Sequence, residues 1–410
     1  MNFENAKCLL KKYNQEHLLD FYSELSSDEQ SELLTQIEKL DFSILESLAD
    51  ENKASDKKGK IEPLTTAVTI KDIDENSKEY YEIGTNALKT NKVAAVLLAG
   101  GQGTRLGFDK PKGMFNIGVT KNLYIFECLI NNLMENVRIS GNWIPLLIMT
   151  SEKNNNDTIN FFRENNFFGY NSEYVDFFVQ DMAPSVDFNG KIYLESKSRI
   201  SSSPNGNGGW FSSIIKSGLL EKLKKQGIEW LNVFAVDNVL QKIADPLFIG
   251  AVIKSGSQSG SKVVAKASPE ERVGAMCLED GKPSIIEYFE LTDEMAHQRL
   301  DNGELAYKFG VTLNYLFKVD KLEEISKDRL PMHIVKKKIP YIDQNGNSIT
   351  PEEPNGYKFE KLILDMIYMH ESCLPYEVIR NKEFAPVKNA IGTDSVDTAR
   401  ELLKENGITV

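Results

Sequence analysis

The chain has 410 residues, a formal net charge of −12 and 41% hydrophobic residues, long enough for more than one core. With an acidic balance and no basic cluster at either end, nucleic acid and anionic membrane are disfavoured as partners, so any anionic ligand must be held by a few local cations. Cys8, Cys128, Cys277 and Cys373 lie far apart with no CxxC, which argues against a disulfide framework or a zinc site and fits a reducing cytoplasm. The first residues lack the apolar stretch of a signal peptide, and no apolar run approaches the roughly 20 residues of a membrane span.

In chain order, the first fifty residues read as helices. "SSDEQSELLTQIEKL" offers Ser26 as an N-cap, Glu29 three residues later, and Leu33, Leu34 and Ile37 at helical spacing. The charged, apolar-poor stretch Ala49 to Pro63 reads as a linker. From Val93 onward, short apolar runs ("VAAVLLAG", "WIPLLIMTS", "VDFFVQ", "EWLNVFAVDN") alternate with helical patterns such as "LYIFECLINNLMENV" and Trp210 to Lys225. This rhythm predicts βαβ units, a mixed but mostly parallel Rossmann-like sheet, and ligands at the carboxyl ends of the strands. "GSKVVAKASPEERVGAMCLEDGKPSIIEYFEL" predicts an antiparallel insertion, with "EDGK" as a hairpin turn. A further helix is expected over "YKFEKLILDMIYMH". The expected organisation is an N-terminal helical lobe and linker over 1–88, a central α/β domain over 89–325 and a small C-terminal domain over 326–410.

The stretch Val93 to Met114 carries the strongest chemical signal. Its strand is apolar at every position, as a central strand is. Gly100, Gly101 and Gly103 then let the backbone turn and bring N–H groups close to an anion. No GK[ST] follows, and the spacing Gly101, Gly103, Gly107 is one residue longer than G-x-G-x-x-G, which disfavours both a P-loop and a plain dinucleotide fold. What remains is a glycine loop followed by Arg105 and Lys112, two cations suited to a polyphosphate. Asp237 ends the apolar run "LNVFAV" and should emerge at the ligand-bearing edge. There a carboxylate beside phosphates suits Mg²⁺. "SPNGNGG" precedes a helix, so Gly206, Asn207 and Gly208 are expected to present amides at its N-terminus. His17, His297, His333 and His370 form no ligand-spaced pair and receive no role.

"LAGGQGTRLG" followed by "PKGM" resembles the signature of nucleotide-sugar pyrophosphorylases. Its wording is similar to that of the eukaryotic-type UDP-N-acetylhexosamine pyrophosphorylases of the UDP-glucose pyrophosphorylase superfamily. "QDMAP", "SPNGNGG", "VDN", "VGAMC", "EYFEL", "KKIPY", "PNGYKFEK" and "EFAPVKNA" follow in the same order over roughly residues 90 to 390. The resemblance implies a nucleotidyltransferase fold in which Leu98, Ala99, Gly100, Gly101, Gln180, Gly206, Asp237 and Lys358 bind the nucleotide, Gln180 reading the uracil. It further implies that Asn207, Gly274, Glu287 and Tyr288 bind the sugar, that Arg105, Lys112 and Lys388 are catalytic, and that Asp237 holds Mg²⁺ with Asn238 in support. The chain departs from the family where "YKFGVTLNY" places Val311 at the position of a sugar-contacting asparagine, with Asn314 three residues on, and where Leu362 and Leu364 replace an aromatic pair.

The implied reaction joins UTP and a sugar 1-phosphate, N-acetylglucosamine 1-phosphate first, into a UDP-sugar and pyrophosphate. Glucose or galactose 1-phosphate is the alternative acceptor. Two other classes stay open at this level. A nucleotide-sugar-dependent glycosyltransferase is one, for which "VDN" is a partial D-x-D; a non-catalytic nucleotide-sugar sensor is the other.

Overall fold

The structure is a computed structural model describing residues 1–45, 48, 59–64, 66–327 and 330–410. It divides into two compact units, neither of them a continuous segment: residues 58–180, 210–329 and 364–410 form the larger, and residues 1–57, 181–209 and 330–363 the smaller.

The larger unit is built on a ten-stranded mixed sheet. Its strands are β1 (Ile61–Pro63), β2 (Val93–Leu98), β3 (Leu146–Thr150), β4 (Val175–Val179), β5 (Trp230–Ala235), β6 (Ser259–Ala265), β7 (Ala275–Glu279), β8 (Lys282–Ile286), β9 (Phe309–Lys318) and β10 (Cys373–Glu377). The order is β1-β7-β9-β5-β2-β3-β4, with β8 on β7 and β6 between β9 and β10. Strands β5, β2, β3 and β4 are mutually parallel. Four carboxyl ends therefore share one edge, and they lead into the glycine loop, Ser151, Gln180 and Asp237. Strand β2 is buried at all six positions, as its unbroken apolar run predicts.

The antiparallel insertion is present. β7 and β8 form a hairpin pairing Glu279 with Lys282, and Asp280 and Gly281 take the positive φ that a two-residue turn demands. Three expectations change. The helix predicted over Trp210 to Lys225 is two, Trp210–Lys216 and Leu219–Lys225, because Gly218 turns left-handed between them. "YKFEKLILDMIYMH" begins as a strand, Gly356–Glu360, and turns helical only at Ile363–Met369. The predicted linker ends in β1, which pairs with β7; its part from Ala49 to Lys58 lies outside the described residues.

In the smaller unit, helix Ser27–Lys39 starts on the capping box read from the sequence: Ser26 N–H donates to Glu29 Oε2 at 2.9 Å, and Glu29 N–H to Ser26 Oγ at 3.4 Å. Its Leu33, Leu34 and Ile37 share a core with Leu10 of helix Phe3–Lys12, and with Val186, Ile192 and Phe359. Strands His333–Lys337, Gly356–Glu360 and Val186–Asp187 form a small antiparallel sheet. Among the described residues, no helix is long and apolar enough to cross a membrane.

Candidate active site

Three hydrogen bonds hold the glycine loop where it leaves β2. Leu98 O accepts from Val236 N–H at 3.3 Å, Ala99 N–H donates to Met149 O at 2.9 Å, and buried Asn154 donates from Nδ2 to Ala99 O at 3.1 Å. Leu98 and Ala99 thus hold the root of the loop. Beyond them the chain folds back on itself. Gly103 N–H donates to Lys110 O at 2.9 Å and Lys112 N–H to Gly101 O at 3.2 Å, so Lys112 stands beside Gly101. The turn Lys112–Met114 is seated on the core by Gly113, where a methyl would come within 2.2 Å of the Phe126 ring. Gly101 itself is exposed, and a methyl there would meet nothing within 4 Å.

Gln180, only 7% exposed, follows β4. Its amide lies directly against the loop: a methyl on Gly100 would sit 2.5 Å from Gln180 Nε2. A neutral donor–acceptor pair at the mouth of a glycine loop is suited to the edge of a base.

Four charges converge near Gly101. Burial pushes the Lys112 ammonium below the ordinary lysine range; Asp237 opposes that shift, and Lys388 and Arg105 add to it. Arg105 is exposed on the turn Thr104–Leu106. Asp237 follows β5, and its carbonyl accepts from Val387 N–H at 2.9 Å, which brings the segment carrying Lys388 alongside. Lys388 Nζ pairs with Asp394 Oδ2 at 3.0 Å. Three cations, one of them paired with Asp394, and the Asp237 carboxylate come together in an otherwise acidic chain, an arrangement suited to a polyphosphate.

Among the described residues, no three His, Cys, Asp or Glu side chains converge as a metal cage. Mg²⁺ needs no such cage, since it takes one or two carboxylates plus substrate oxygens. The half-buried Asp237, with Lys112 close by, fits that donor set. Asn238, read from the sequence as a supporting group for the metal, is turned away. It is 1% exposed; its Oδ1 accepts from Ala385 N–H at 2.9 Å and its Nδ2 donates to Glu383 O at 2.8 Å.

A second cluster lies in the same unit. A methyl on Gly274 would stand 3.5 Å from Glu287 Oε2, 3.5 Å from Val311 Cγ2 and 3.2 Å from Ile285, and Gly274 O accepts from Val311 N–H at 2.8 Å. The strand expected to contain Glu287 and Tyr288 stops at Ile286. Both residues belong to the turn that follows, where Glu290 and Leu291 donate to Glu287 O at 2.9 and 3.2 Å. A turn frees side chains that a strand would have alternated across a sheet. Tyr288 is 44% exposed and lies edge-on to Phe289. Asn314 cannot stand in for the missing asparagine, because it is buried and held by Asn232 and Lys242.

In the smaller unit, "SPNGNGG" is used differently from expectation. Gly208 N–H donates to Lys361 O at 2.8 Å, and Asn207 Oδ1 accepts from Ile363 N–H at 3.0 Å. These groups are engaged by the chain itself rather than presented at a helix N-terminus. Lys358 lies on strand Gly356–Glu360, opposite Val335. Sequence reasoning missed Asn154 and Asp394; the latter stands just before Ser395, the N-cap of helix Val396–Glu405, and so reads as ordinary helix-start chemistry.

The chain is 35% identical over 423 residues to human UDP-N-acetylhexosamine pyrophosphorylase-like protein 1, spanning 98% of this chain and 83% of that protein. It is 36% identical over 425 residues to UDP-N-acetylglucosamine pyrophosphorylase from Saccharomyces cerevisiae, spanning 97% and 88%. Among solved structures, the uridine diphosphate N-acetylglucosamine pyrophosphorylase from Trypanosoma brucei in complex with inhibitor is similar with a TM-score of 0.83 and 29% identity, over 98% of this chain and 84% of that one. Residues 41–396 match the family described as UTP--glucose-1-phosphate uridylyltransferase, and the chain belongs to that family.

Proposed function

We propose that the protein transfers the uridylyl group of UTP to N-acetylglucosamine 1-phosphate, giving UDP-N-acetylglucosamine and pyrophosphate. The observation that carries this reading is the convergence of Arg105, Lys112, Lys388 and Asp237 beside a glycine loop whose root is packed against the Gln180 amide. A phosphate oxygen of the sugar 1-phosphate attacks the α-phosphorus of UTP, and the bond from that phosphorus to the β-bridging oxygen breaks. Both partners are already ionised, so no proton has to move. Catalysis is positioning and charge neutralisation.

In this reading Gln180 reads the uracil and the loop Leu98–Gly101 faces the nucleotide. Arg105 and Lys112 hold the β- and γ-phosphates and stabilise the leaving pyrophosphate, while Lys388 meets the incoming phosphate. Asp237 would hold Mg²⁺, which would supply further neutralisation of charge. Gly274, Glu287 and Tyr288 receive the sugar. Gly206, Asn207 and Lys358 are proposed as ligand contacts on their motifs alone. Cytoplasmic residence belongs to the same proposal and accords with four cysteines of which none is in a disulfide.

A second reading, glucose or galactose 1-phosphate as the acceptor, is favoured by Val311, which lines the Gly274–Glu287 notch with a methyl where an amide was expected. Pyrophosphate release with Mg²⁺, UTP and N-acetylglucosamine, glucose or galactose 1-phosphate separates the two. The fastest with N-acetylglucosamine 1-phosphate supports the first reading, and the fastest with glucose 1-phosphate or galactose 1-phosphate the second. No pyrophosphate with any acceptor overturns the uridylyl-transfer reading itself.

A further inference from the structure

A fully buried ion triad lies in the larger unit, outside the ligand-directed residues. Lys262 on β6 is 1% exposed, and its Nζ lies 2.8 Å from Asp245 Oδ2 and 2.6 Å from Glu383 Oε2. Burial alone would push this ammonium down, but the two carboxylates outweigh it and hold Lys262 above its ordinary value; Asp245 is correspondingly held low, against the effect of its own burial, by Lys262. Such triads are poor sources of net stability, since well-packed apolar residues often do as well in their place. This one ties together three separate segments: β6, the stretch at Asp245 and the helix Arg380–Glu383.

What this triad fixes can be read from the backbone. Glu383 ends the short helix Arg380–Glu383, and its carbonyl accepts from Asn238 Nδ2 at 2.8 Å. Two residues on, Ala385 N–H donates to Asn238 Oδ1 at 2.9 Å and Ala385 O accepts from Val239 N–H at 3.3 Å. Val387 N–H then donates to Asp237 O at 2.9 Å, and Asn238 and Pro386 pair as an antiparallel bridge. Residues 383–387 therefore run along 237–239, and Lys388 emerges one step beyond the bond to Asp237. A slip of one residue would turn Lys388 to the opposite side of this ladder.

We infer that Asn238 and the Lys262–Asp245–Glu383 triad are positioning residues that fix the Lys388 ammonium in register with the Asp237 carboxylate. This rests on the proposed uridylyl transfer, in which both groups act on phosphate. None of the four has to touch substrate. Their effect passes through Lys388, and that makes it separable from a general structural role.

The test is a double-mutant cycle on the full chain, with Asn238→Ala and Glu383→Gln each made alone and with Lys388→Ala. Asn238→Ala should lower kcat roughly ten- to a hundred-fold, the usual effect of losing an outer-shell partner. The KM for UTP should change little, because Gln180 and the glycine loop still hold the nucleotide. In the Lys388→Ala background the same change should alter kcat by no more than about twofold, as coupled sites require. Amide hydrogen exchange at Val387 should be faster in Asn238→Ala by more than at amides of the central sheet, a local loosening beyond the general loss of stability that two broken buried hydrogen bonds bring. Should Asn238→Ala fail to fold, Glu383→Gln carries the same expectations for kcat and for exchange at Val387 with a side chain of nearly equal size, and with a lower thermal midpoint because one buried carboxylate no longer faces Lys262. An equal loss of kcat in both backgrounds, or unchanged exchange at Val387, overturns the inference. If the wild type releases no pyrophosphate, the proposed function fails instead, and the exchange at Val387 still decides whether Asn238 holds the ladder.

Discussion

Gly101 and Gly208 lie in segments that look alike in sequence and do opposite things. In "AGGQG" the exposed Gly101 has open space where a side chain would be. In "NGNGG" the glycines are consumed by the chain itself. Gly206 sits at φ +80, where a methyl would be 2.3 Å from Lys361 O, and a methyl on Gly208 would be 2.7 Å from the Leu362 backbone. Gly101 keeps open space although its neighbours Gly100 and Gly103 are packed against Gln180 and Phe108; Gly206 and Gly208 let two stretches of main chain approach. Glycine content reports that a side chain is excluded, not what excludes it.

The largest effect that would sharpen this contrast is on the cation beside the open loop. Lys112→Ala should lower kcat roughly a hundred- to a thousand-fold, the range seen when one preorganised charge-stabilising group is removed. The melting temperature should not fall, because the lost ammonium is partly desolvated and faces two other cations. Steady-state pyrophosphate release beside thermal melts reads both. A drop in melting temperature matching the drop in rate would make Lys112 a structural residue and erase the contrast.

Next comes the pair that tests the glycines directly. Gly208→Ala has to displace backbone and should cost about 1–3 kcal/mol of stability, as overpacking does, visible as a lower denaturant midpoint. Gly101→Ala meets no atom and should stay within about 0.5 kcal/mol of wild type. It should instead raise the KM for UTP several-fold, because a methyl would stand where the nucleotide approaches. If Gly101→Ala were the unstable one and Gly208→Ala the one with the altered KM, the two segments would have been assigned the wrong way round.

Much of the central sheet was legible because its signals are local. A six-residue apolar run that ends in glycines, such as Val93–Leu98, fits a strand buried on both faces, and Ser26 with Glu29 writes its own capping box. The edge at which the glycine loop, Gln180 and Asp237 meet followed from parallel strands alone. What escaped was set by distant partners. Gly356–Glu360 is a strand because His333–Lys337 and Val186–Asp187 lie beside it, although "YKFEKLIL" reads as a helix. Asn238 looked like a ligand-side amide because nothing near it in sequence shows that Glu383 and Ala385 claim both its ends. Interleaved units pose the same difficulty, since a chain that leaves the larger unit at Gln180 and returns at Trp210 changes neither composition nor charge as it crosses.

The smallest expected effect is on pH dependence, and it belongs to the open loop. In the free protein Lys112 is held below the ordinary lysine value of 10.5, so it loses its proton at lower pH than an exposed lysine. Between that lowered value and 10.5 the unfolded chain binds more protons than the native one, and stability must rise with pH across that window. Replacing Lys112 by methionine removes the contribution. The variant's advantage in stability should therefore be greatest below the window and vanish above it. Activity runs the other way: kcat/KM should fall as Lys112 deprotonates in the free enzyme. Bound phosphates favour the charged lysine, so the alkaline limb of kcat should lie at higher pH than that of kcat/KM. Lys112→Arg places a guanidinium that does not deprotonate in this range, and there the alkaline limb of kcat/KM should disappear. A limb that stayed at the same pH in the arginine variant would assign it to another group, and the desolvated lysine beside Gly101 would lose its place in the chemistry.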